Sequence, residues 1–112
     1  MAKRILVVDD DLNTCTALAL LLRARGHCVD TCDGPEPALD HLRANTYDVL
    51  VTDQMMGGMT GLDLARRSVA LHSGLRCLIM SGFSAPPADE RAHFIWLDKP
   101  IDVEALLDEI GP

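Results

Sequence analysis

Short apolar runs alternate with longer amphipathic stretches along this chain, and the two patterns predict strands and helices in turn. Val, Ile and Leu fill most of the apolar runs, which is typical of parallel strands that are buried on both faces. The predicted strands are Arg4–Val8, Cys28–Cys32, Tyr47–Asp53, Arg76–Met80 and Phe94–Leu97. The second strand is the most polar, so we expect it at an edge of the sheet, and we expect the third at the centre.

Helical spacing of apolar residues fills most of the stretches between these strands. The predicted helices are Leu12–Arg25, Glu36–Ala44, Leu62–Leu71 and Val103–Ile110. Their inward-facing residues are expected to be Ala17, Leu18, Leu21 and Leu22, then Ala38, Leu39 and Leu42, and finally Val103, Leu106, Leu107 and Ile110. Gly26 is expected to end the first helix in a left-handed conformation, and Asp102 to cap the start of the last one. The alternation predicts a single α/β domain over residues 1–112 with right-handed crossovers.

The connection that precedes the last strand is short. It begins at Gly82 and contains Pro86-Pro87, and its length is close to the minimum of roughly 10–12 residues for a helical crossover. Ala88–His93 then has room for a helix of about a turn and a half, which is marginal in isolation. We therefore predict a shortened fourth helix, and we expect this segment to be the least regular and most mobile part of the fold.

Composition and charge narrow the functional class. The chain has 112 residues, of which 48% are hydrophobic and 24% are charged, as in a globular domain. No apolar run approaches the roughly 20 residues of a membrane span, and the charged start leads into a strand rather than a signal peptide. We therefore expect a cytoplasmic protein without membrane contact. The net charge of −7 comes without a basic stripe, which argues against direct nucleic-acid binding.

The cysteines offer a possible metal site that the sequence does not favour. Cys28 and Cys32 lie close together with His27 beside them, whereas Cys15 and Cys77 are far away in the chain. Zinc sites usually need a second pair of Cys or His at a ligand distance, and none follows. Free cysteine is common in protein cores, so buried reduced thiols are the favoured interpretation.

Polar side chains follow four of the predicted strands. They are Asp9, Asp10 and Asp11 after the first strand, Asp53 at the end of the third, Ser81 after the fourth and Lys99 beyond the last. Parallel strands end along one edge of the sheet, where open α/β folds bind their ligands, so we expect these side chains to meet. Packed carboxylates repel one another unless a cation compensates, and Mg²⁺ prefers such oxygen ligands.

Each of these residues also has an ordinary structural interpretation. For Asp11 we favour a helix cap, and Ser81 would suit the start of a short helix in the same way. Lys99 would also suit the surface, although Pro100 holds it in an extended conformation. Asp53 follows a buried strand, so its carboxylate is held rigidly and suits a nucleophile that attacks phosphorus. The joint placement of these residues at successive strand ends predicts a site for a phosphate and a divalent cation.

Four segments carry a resemblance to a known family. They are residues 5–11, 51–61, 79–82 and 96–100, which read ILVVDDD, VTDQMMGGMTG, IMSG and WLDKP. In this order and spacing the chain resembles, over essentially its whole length, the receiver domain of two-component response regulators. The resemblance implies a flavodoxin-like (βα)5 fold, with a doubly wound parallel five-stranded sheet in the order 2-1-3-4-5.

The resemblance also implies the chemistry of the strand-end residues. Asp53 would accept a phosphoryl group from a phosphohistidine of a sensor histidine kinase or a histidine phosphotransfer protein. The chain would catalyse this transfer onto itself, and its own dephosphorylation, without being an enzyme for other substrates. Asp9, Asp10, Asp53 and the backbone carbonyl of Met55 would hold Mg²⁺ or Mn²⁺.

The remaining implied roles concern the phosphorylated state. Ser81 and Lys99 would bind the phosphoryl group, and Ser81 and Trp96 would change conformation on activation. The altered surface would then act on a downstream effector protein or an output domain, so that the chain is either a stand-alone receiver or a piece of a larger regulator.

This chain departs from the family pattern in three places. Gly57 stands where the family commonly has proline, which predicts a more mobile loop. The short segment around Pro86-Pro87 puts dimerisation through a fourth helix in doubt. Met55 and Phe83 flank the expected phosphoryl site, and we hypothesise that they exclude water and lengthen the life of the phosphoaspartate. A half-life that does not shorten in Met55→Asn would contradict this.

Two other interpretations stay open at this point. An aspartate-nucleophile phosphatase of the haloacid dehalogenase type would use Asp9 and Asp11 after the first strand, with Ser81 and Lys99 as its later motifs, and would carry covalent phosphate on Asp9. A degenerate receiver would serve only as a docking module and would take up no phosphate from acetyl phosphate.

Overall fold

Five parallel strands form one sheet in the computed structural model, which describes residues 2–82 and 94–111. The strands are β1 (Arg4–Val8), β2 (Cys28–Cys32), β3 (Val49–Asp53), β4 (Arg76–Ser81) and β5 (Ile95–Asp98). Their order is β2-β1-β3-β4-β5, so the polar β2 lies at an edge and β3 lies at the centre. The predicted α/β class, strand order and parallel pairing are confirmed.

Four described helices cover both faces of the sheet. They are α1 (Leu12–Ala24), α2 (Pro35–Ala44), α3 (Gly61–Leu71) and α4 (Val103–Ile110). Successive residues of a strand point to opposite faces. Leu6 and Leu50 accordingly pack with Leu42 of α2, whereas Val7 and Val51 pack with residues of α1 and α4. The fold is therefore doubly wound, as predicted.

The register of the sheet brings the carboxyl ends of the strands to one edge. Asp53, the last residue of β3, pairs with Met80 of β4. Ser81, the last residue of β4, pairs with Asp98 of β5. Residues that follow β1, β3, β4 and β5 therefore emerge beside one another, as expected of a parallel sheet.

The buried face of α1 differs from the predicted one. Its buried residues are Cys15, Leu18, Ala19 and Leu22. Of the residues predicted to face inward, Leu18 and Leu22 are buried, but Leu21 is only half-buried and Ala17 is exposed. The buried residues follow the spacing i, i+3, i+4 and i+7 from Cys15, whereas Ala17 lies about 200° around the helix from Cys15 at roughly 100° per residue. A face chosen from the leucines missed the two small residues that lie nearest the sheet.

In α2 and α4, the residues predicted to face inward are buried or half-buried except at one position. Ala38, Leu39 and Leu42 of α2 are buried as predicted. In α4, Leu106 and Ile110 are buried, but Val103 is 42% exposed. Helical side chains point back toward the amino terminus, so the side chain of the first residue extends past the start of α4 and lacks a neighbouring turn.

The predicted helix ends are also found. Asp11 accepts a hydrogen bond from Asn13 N–H at 2.9 Å, so it caps α1 as favoured. Asp102 caps α4 by accepting a hydrogen bond from Glu104 N–H at 3.0 Å. Gly26, just past α1, has a φ of 90°, which suits glycine in the predicted left-handed turn.

The cysteines are free thiols, and three of the four are buried. Cys28 is exposed, so the prediction of a buried thiol was wrong there, because this residue lies on the edge strand. Burial raises the pKa of the Cys32 and Cys77 thiols to about 12. Within the described ranges, the three-residue clusters able to hold a metal do not include Cys28, Cys32 or His27. The structure therefore does not support the zinc alternative.

Several expectations lie outside the described residues. The shortened fourth helix, the segment around Pro86-Pro87 and the position of Phe83 all fall within 83–93 and stay predictions. Among the helices in 2–82 and 94–111, none has the length and apolar character needed to cross a membrane.

Candidate functional site

The end of β1 positions Asp9 through its backbone on both sides. Asp9 N–H donates to the carbonyl of Cys32 at the end of β2, 3.1 Å away. The Asp9 carbonyl accepts a hydrogen bond from the Cys15 thiol of α1 at 3.3 Å. Asp9 is 2% exposed, and its Oδ1 accepts a hydrogen bond from Asp11 N–H at 2.9 Å. The Asp9 carboxylate is thus buried and fixed, whereas Asp10, the next residue, is exposed.

Asp53 lies at the end of the most buried strand and is itself only 5% exposed. One carboxylate oxygen from each of Asp9, Asp10 and Asp53 lies within 4.8 Å of the other two. Lys99 Nζ lies 2.6 Å from Asp53 Oδ1, and its side chain is 37% exposed. The structure therefore brings together four of the residues that the sequence analysis placed at this edge.

The electrostatics of the cluster are unfavourable in the protein alone. Burial is the main reason that the pKa of Asp9 is raised; the hydrogen bond from Asp11 N–H opposes the shift and the charge of Asp53 adds to it. Asp9 Oδ2 is buried and has no hydrogen-bond partner in the part of the chain that the structure describes. Buried polar atoms normally have partners, so an unpaired carboxylate oxygen among other carboxylates fits a hard divalent cation such as Mg²⁺ or Mn²⁺.

Ser81 and Lys99 reach the same edge from β4 and β5. Lys99 N–H donates to the Ser81 carbonyl at 2.9 Å, which continues the pairing of the two strands by one residue. Ser81 is 8% exposed. Since its neighbour Met80 pairs with Asp53, Ser81 lies one residue beyond the level of Asp53 at the end of β4.

The roles expected of Met55 and Trp96 stay predictions. Met55 follows β3 by two residues, and its side chain is 62% exposed. Trp96 lies on β5, half-buried against the core beneath α2 and α3. Its indole N–H is buried without a hydrogen-bond partner among the described residues, so a change in its surroundings would alter its fluorescence.

Two residues that were not predicted as part of the site shape the loop between β3 and α3. Gln54 Oε1 accepts a hydrogen bond from Leu62 N–H at 2.8 Å, so a side chain beside Asp53 reaches the first turn of α3. A Cβ atom on Gly61 would overlap the carbonyl oxygen of Asp53. Neither contact has a signal in the local pattern, because each depends on how α3 packs against the end of β3. The greater loop mobility expected from Gly57 stays a prediction.

The geometry of Asp11 bears on the phosphatase alternative. Asp11 is exposed, and its carboxylate accepts hydrogen bonds from Asn13 N–H at 2.9 Å and from the Thr14 hydroxyl at 3.2 Å. It is occupied as a helix cap and is not one of the clustered carboxylates. A phosphatase that used Asp9 and Asp11 together is therefore not favoured.

Comparison with known proteins points to one family. A family model described as the response regulator receiver domain matches residues 5–111. The transcriptional regulatory protein ZraR of Escherichia coli K12 is 34% identical over 106 residues, which cover 91% of this chain and 24% of ZraR. The response regulator receiver protein CpdR of Brucella abortus is 31% identical over 112 residues, which cover 96% of this chain and 93% of CpdR.

Solved structures agree with this match. The response regulator protein TrrA from Thermotoga maritima, in complex with Mg²⁺-BeF, superposes with a TM-score of 0.86 at 26% identity and covers 96% of each chain. The chain therefore spans about a quarter of the length of ZraR, but nearly the whole of CpdR and TrrA.

Proposed function

The chain belongs to the response regulator receiver domain family of two-component signalling, and from this membership we propose that Asp53 is its phosphoacceptor. The phosphoryl donor is a phosphohistidine of a sensor histidine kinase or a histidine phosphotransfer protein. The single observation that carries the proposal is the contact of Lys99 Nζ with Asp53 Oδ1 at 2.6 Å, beside two further carboxylates. This arrangement pairs a buried nucleophile with a cation that can also bind a phosphoryl oxygen.

The transfer uses the second oxygen of the Asp53 carboxylate. Since Oδ1 is paired with Lys99, Oδ2 forms the new bond to phosphorus while the bond from phosphorus to the imidazole nitrogen breaks. The electron pair of that bond stays on the partner's imidazole. Lys99 offsets the negative charge of the phosphoryl oxygens, and the Ser81 hydroxyl donates a hydrogen bond to one of them.

Asp9, Asp10, Asp53 and the backbone carbonyl of Met55 are the proposed ligands of Mg²⁺ or Mn²⁺. When bound, the cation supplies positive charge that offsets both the carboxylates and the incoming phosphoryl group. Two observations support this proposal: Asp9 Oδ2 has no hydrogen-bond partner within the described part of the chain, and the carboxylates lie within 4.8 Å of one another. Asp9 contributes a fixed charge, because its backbone is held by Cys15 and Cys32.

The output of the domain is a change in conformation. Phosphorylation adds between one and two negative charges to a site that already holds carboxylates. Ser81 and Lys99 follow the phosphoryl group, and Trp96, on the strand that leads to Lys99, changes its packing. The shifted surface then acts on an effector protein or an output domain. The chain modifies and later dephosphorylates its own Asp53, and it is not proposed to turn over other substrates.

The test is covalent phosphorylation with a small donor. Incubation with acetyl phosphate and Mg²⁺ should add one phosphoryl group, located on Asp53 by mass spectrometry after digestion. Asp53→Asn and chelation with EDTA should each abolish the addition, and beryllofluoride with Mg²⁺ should change Trp96 fluorescence in the wild type alone. Phosphate on Asp9 would instead support a phosphatase, and no addition under any condition would support a docking module.

A further inference from the structure

One residue, Gln54, fixes both ends of the loop between β3 and α3. Its carbonyl accepts a hydrogen bond from Gly61 N–H at 3.0 Å, and its side-chain Oε1 accepts one from Leu62 N–H at 2.8 Å. Its own N–H donates to the Met80 carbonyl of β4 at 2.9 Å. The start of α3 is therefore tied through Gln54 to two central strands.

The loop that Gln54 closes runs directly past the phosphorylation site. A Cβ on Gly61 would overlap the Asp53 carbonyl oxygen and lie 3.0 Å from Gln54 Cα, so the start of α3 rests against the backbone of Asp53. Gly57 and Gly58 leave the enclosed segment with much conformational freedom. Met55, whose carbonyl is a proposed metal ligand, is the first residue of that segment. The orientation of its backbone therefore depends on the position of Gln54.

We propose that Gln54 is a positioning residue for the metal and phosphoryl site, acting through the Leu62 N–H that its side chain accepts. This bond fixes the path of residues 55–60 and therefore the direction of the Met55 carbonyl. The inference rests on the proposed function, because it concerns the same site. It assigns Gln54 no direct contact with the cation or the phosphoryl group.

The chemistry of the side chain suits this task. An amide oxygen accepts the N–H without adding charge, whereas a carboxylate at the same position would add a fourth negative group near Asp9, Asp10 and Asp53. The first amides of a helix also need acceptors from outside the helix. Gln54 Oε1 is such an acceptor for Leu62 N–H. Because Gln54 directly follows Asp53, this hydrogen bond connects the first turn of α3 to the residue next to the phosphoacceptor.

The neighbouring residue Thr60 provides a matched control. Its hydroxyl accepts a hydrogen bond from Asp63 N–H at 3.1 Å, one residue farther into α3. Gln54→Met and Thr60→Val each remove one side-chain acceptor from the same helix turn and keep the side chain close in size. The Gln54 side chain connects that turn to the end of β3, whereas the Thr60 hydroxyl bonds within the helix start alone, so the loss of the Gln54 amide should change the site and the loss of the Thr60 hydroxyl should not.

The experiment measures Mg²⁺ binding by calorimetry, and amide hydrogen exchange without metal, on the whole chain. Gln54→Met should bind Mg²⁺ about fivefold more weakly, as expected for one lost hydrogen bond. Its Gly61 and Leu62 amides should exchange faster even without metal. Thr60→Val should keep the wild-type affinity within about twofold. Gln54→Glu keeps an acceptor at this position, so it should restore protection of Leu62 N–H to the wild-type level.

Three outcomes would overturn the inference. These are unchanged Mg²⁺ binding in Gln54→Met, an equal loss of Mg²⁺ affinity in Thr60→Val, or a Leu62 N–H that exchanges as fast in Gln54→Glu as in Gln54→Met. Wild-type protein is measured alongside for Mg²⁺ binding and for phosphate uptake. If the wild type fails there, the proposed function falls together with this inference; if only Gln54→Met fails to differ, the positioning role falls alone.

Discussion

The amino ends of the strands form one edge of the sheet, the amino edge, and the carboxyl ends form the other, the carboxyl edge. Both edges carry charged residues, but these residues are paired differently. At the amino ends of the strands, Arg4 N–H donates to Asp48 Oδ2 at 2.8 Å, and Arg76 pairs with Glu109 at 2.9 Å. Lys3 Nζ donates to the Ile110 carbonyl at the end of α4. At the carboxyl ends, by contrast, three carboxylates lie close together, and Lys99 contacts the one of Asp53.

This difference separates stability from function within one sheet. The amino edge has its charges matched by partners in the chain, so it stabilises the fold. At the carboxyl edge, Asp9 Oδ2 is buried without a hydrogen-bond partner among residues 2–82 and 94–111, and burial raises the pKa of Asp9. Shifted ionisation and unpaired buried charge are typical of functional sites. Mutations that remove a charged side chain at the two edges should therefore change the stability in opposite directions.

The largest effect is expected where the carboxyl edge is closely packed. Gly61→Ala should destabilise the protein by about 2–3 kcal/mol, because its Cβ would overlap the Asp53 carbonyl oxygen and force α3 away. Gly74→Ala, in the turn that leads into β4, places its Cβ where nothing lies within 4 Å. It should change stability by no more than about 0.5 kcal/mol. Urea unfolding of both variants measures the change in the free energy of unfolding. Equal losses in the two variants would contradict the expectation that Gly61 is closely packed and Gly74 is not.

A smaller effect of opposite sign is expected from removing charge at the carboxyl edge. Without metal, Asp9→Asn should stabilise the protein by about 1 kcal/mol, which raises the melting temperature by roughly 4–8 °C. Asn keeps the oxygen that accepts the Asp11 N–H but lacks the buried charge. Thermal unfolding in EDTA measures the gain, and added Mg²⁺ should stabilise the variant less than the wild type.

The pH dependence of this gain follows from the raised pKa of Asp9. Below the usual pKa of aspartate, Asp9 is protonated in both folded and unfolded states and costs nothing. As the pH rises through its folded pKa, the unfolded chain releases the proton more readily, so the folded state loses stability. The gain in stability of Asp9→Asn should be present near neutral pH and vanish in acid.

Asp48→Ala, which removes the acceptor of Arg4 N–H at the amino edge, should instead lower the free energy of unfolding.

The sequence could predict the sheet because strand order and strand ends follow from local patterns. The runs that end at Asp9 and Asp53 are short and apolar, and the parallel rule then brings their carboxylates together. The exposure of Ala17, by contrast, was not predicted, because it depends on small residues as well as leucines. Gln54 was missed for a similar reason. Its bond to Leu62 exists only once α3 has packed against β3, and no period in the sequence encodes that contact.

The smallest effect is expected at the amino edge, where His27 is buried beside Lys3. His27 Nδ1 accepts a hydrogen bond from Lys3 N–H at 3.1 Å, which requires the ring to be neutral. Burial lowers the pKa of His27, and the charge of Lys3 adds to the shift. The unfolded chain therefore binds a proton first as the pH falls below about 6.5, and stability is lost as the pH falls through the folded pKa.

His27→Asn tests this dependence, since the Asn side-chain oxygen can accept the Lys3 N–H and does not titrate. Between pH 7.5 and 5.5, the wild type should lose more stability than the variant by an amount on the order of 0.5 kcal/mol. The remaining histidines are common to both proteins, so the difference between the two urea-unfolding series isolates His27. Parallel series would show that His27 keeps its ordinary ionisation in the folded protein. In that case, the protonation of His27 would not reduce the free energy of unfolding in acid. Of the two groups, only Asp9, whose protonation removes a buried charge, would then make the stability depend on pH.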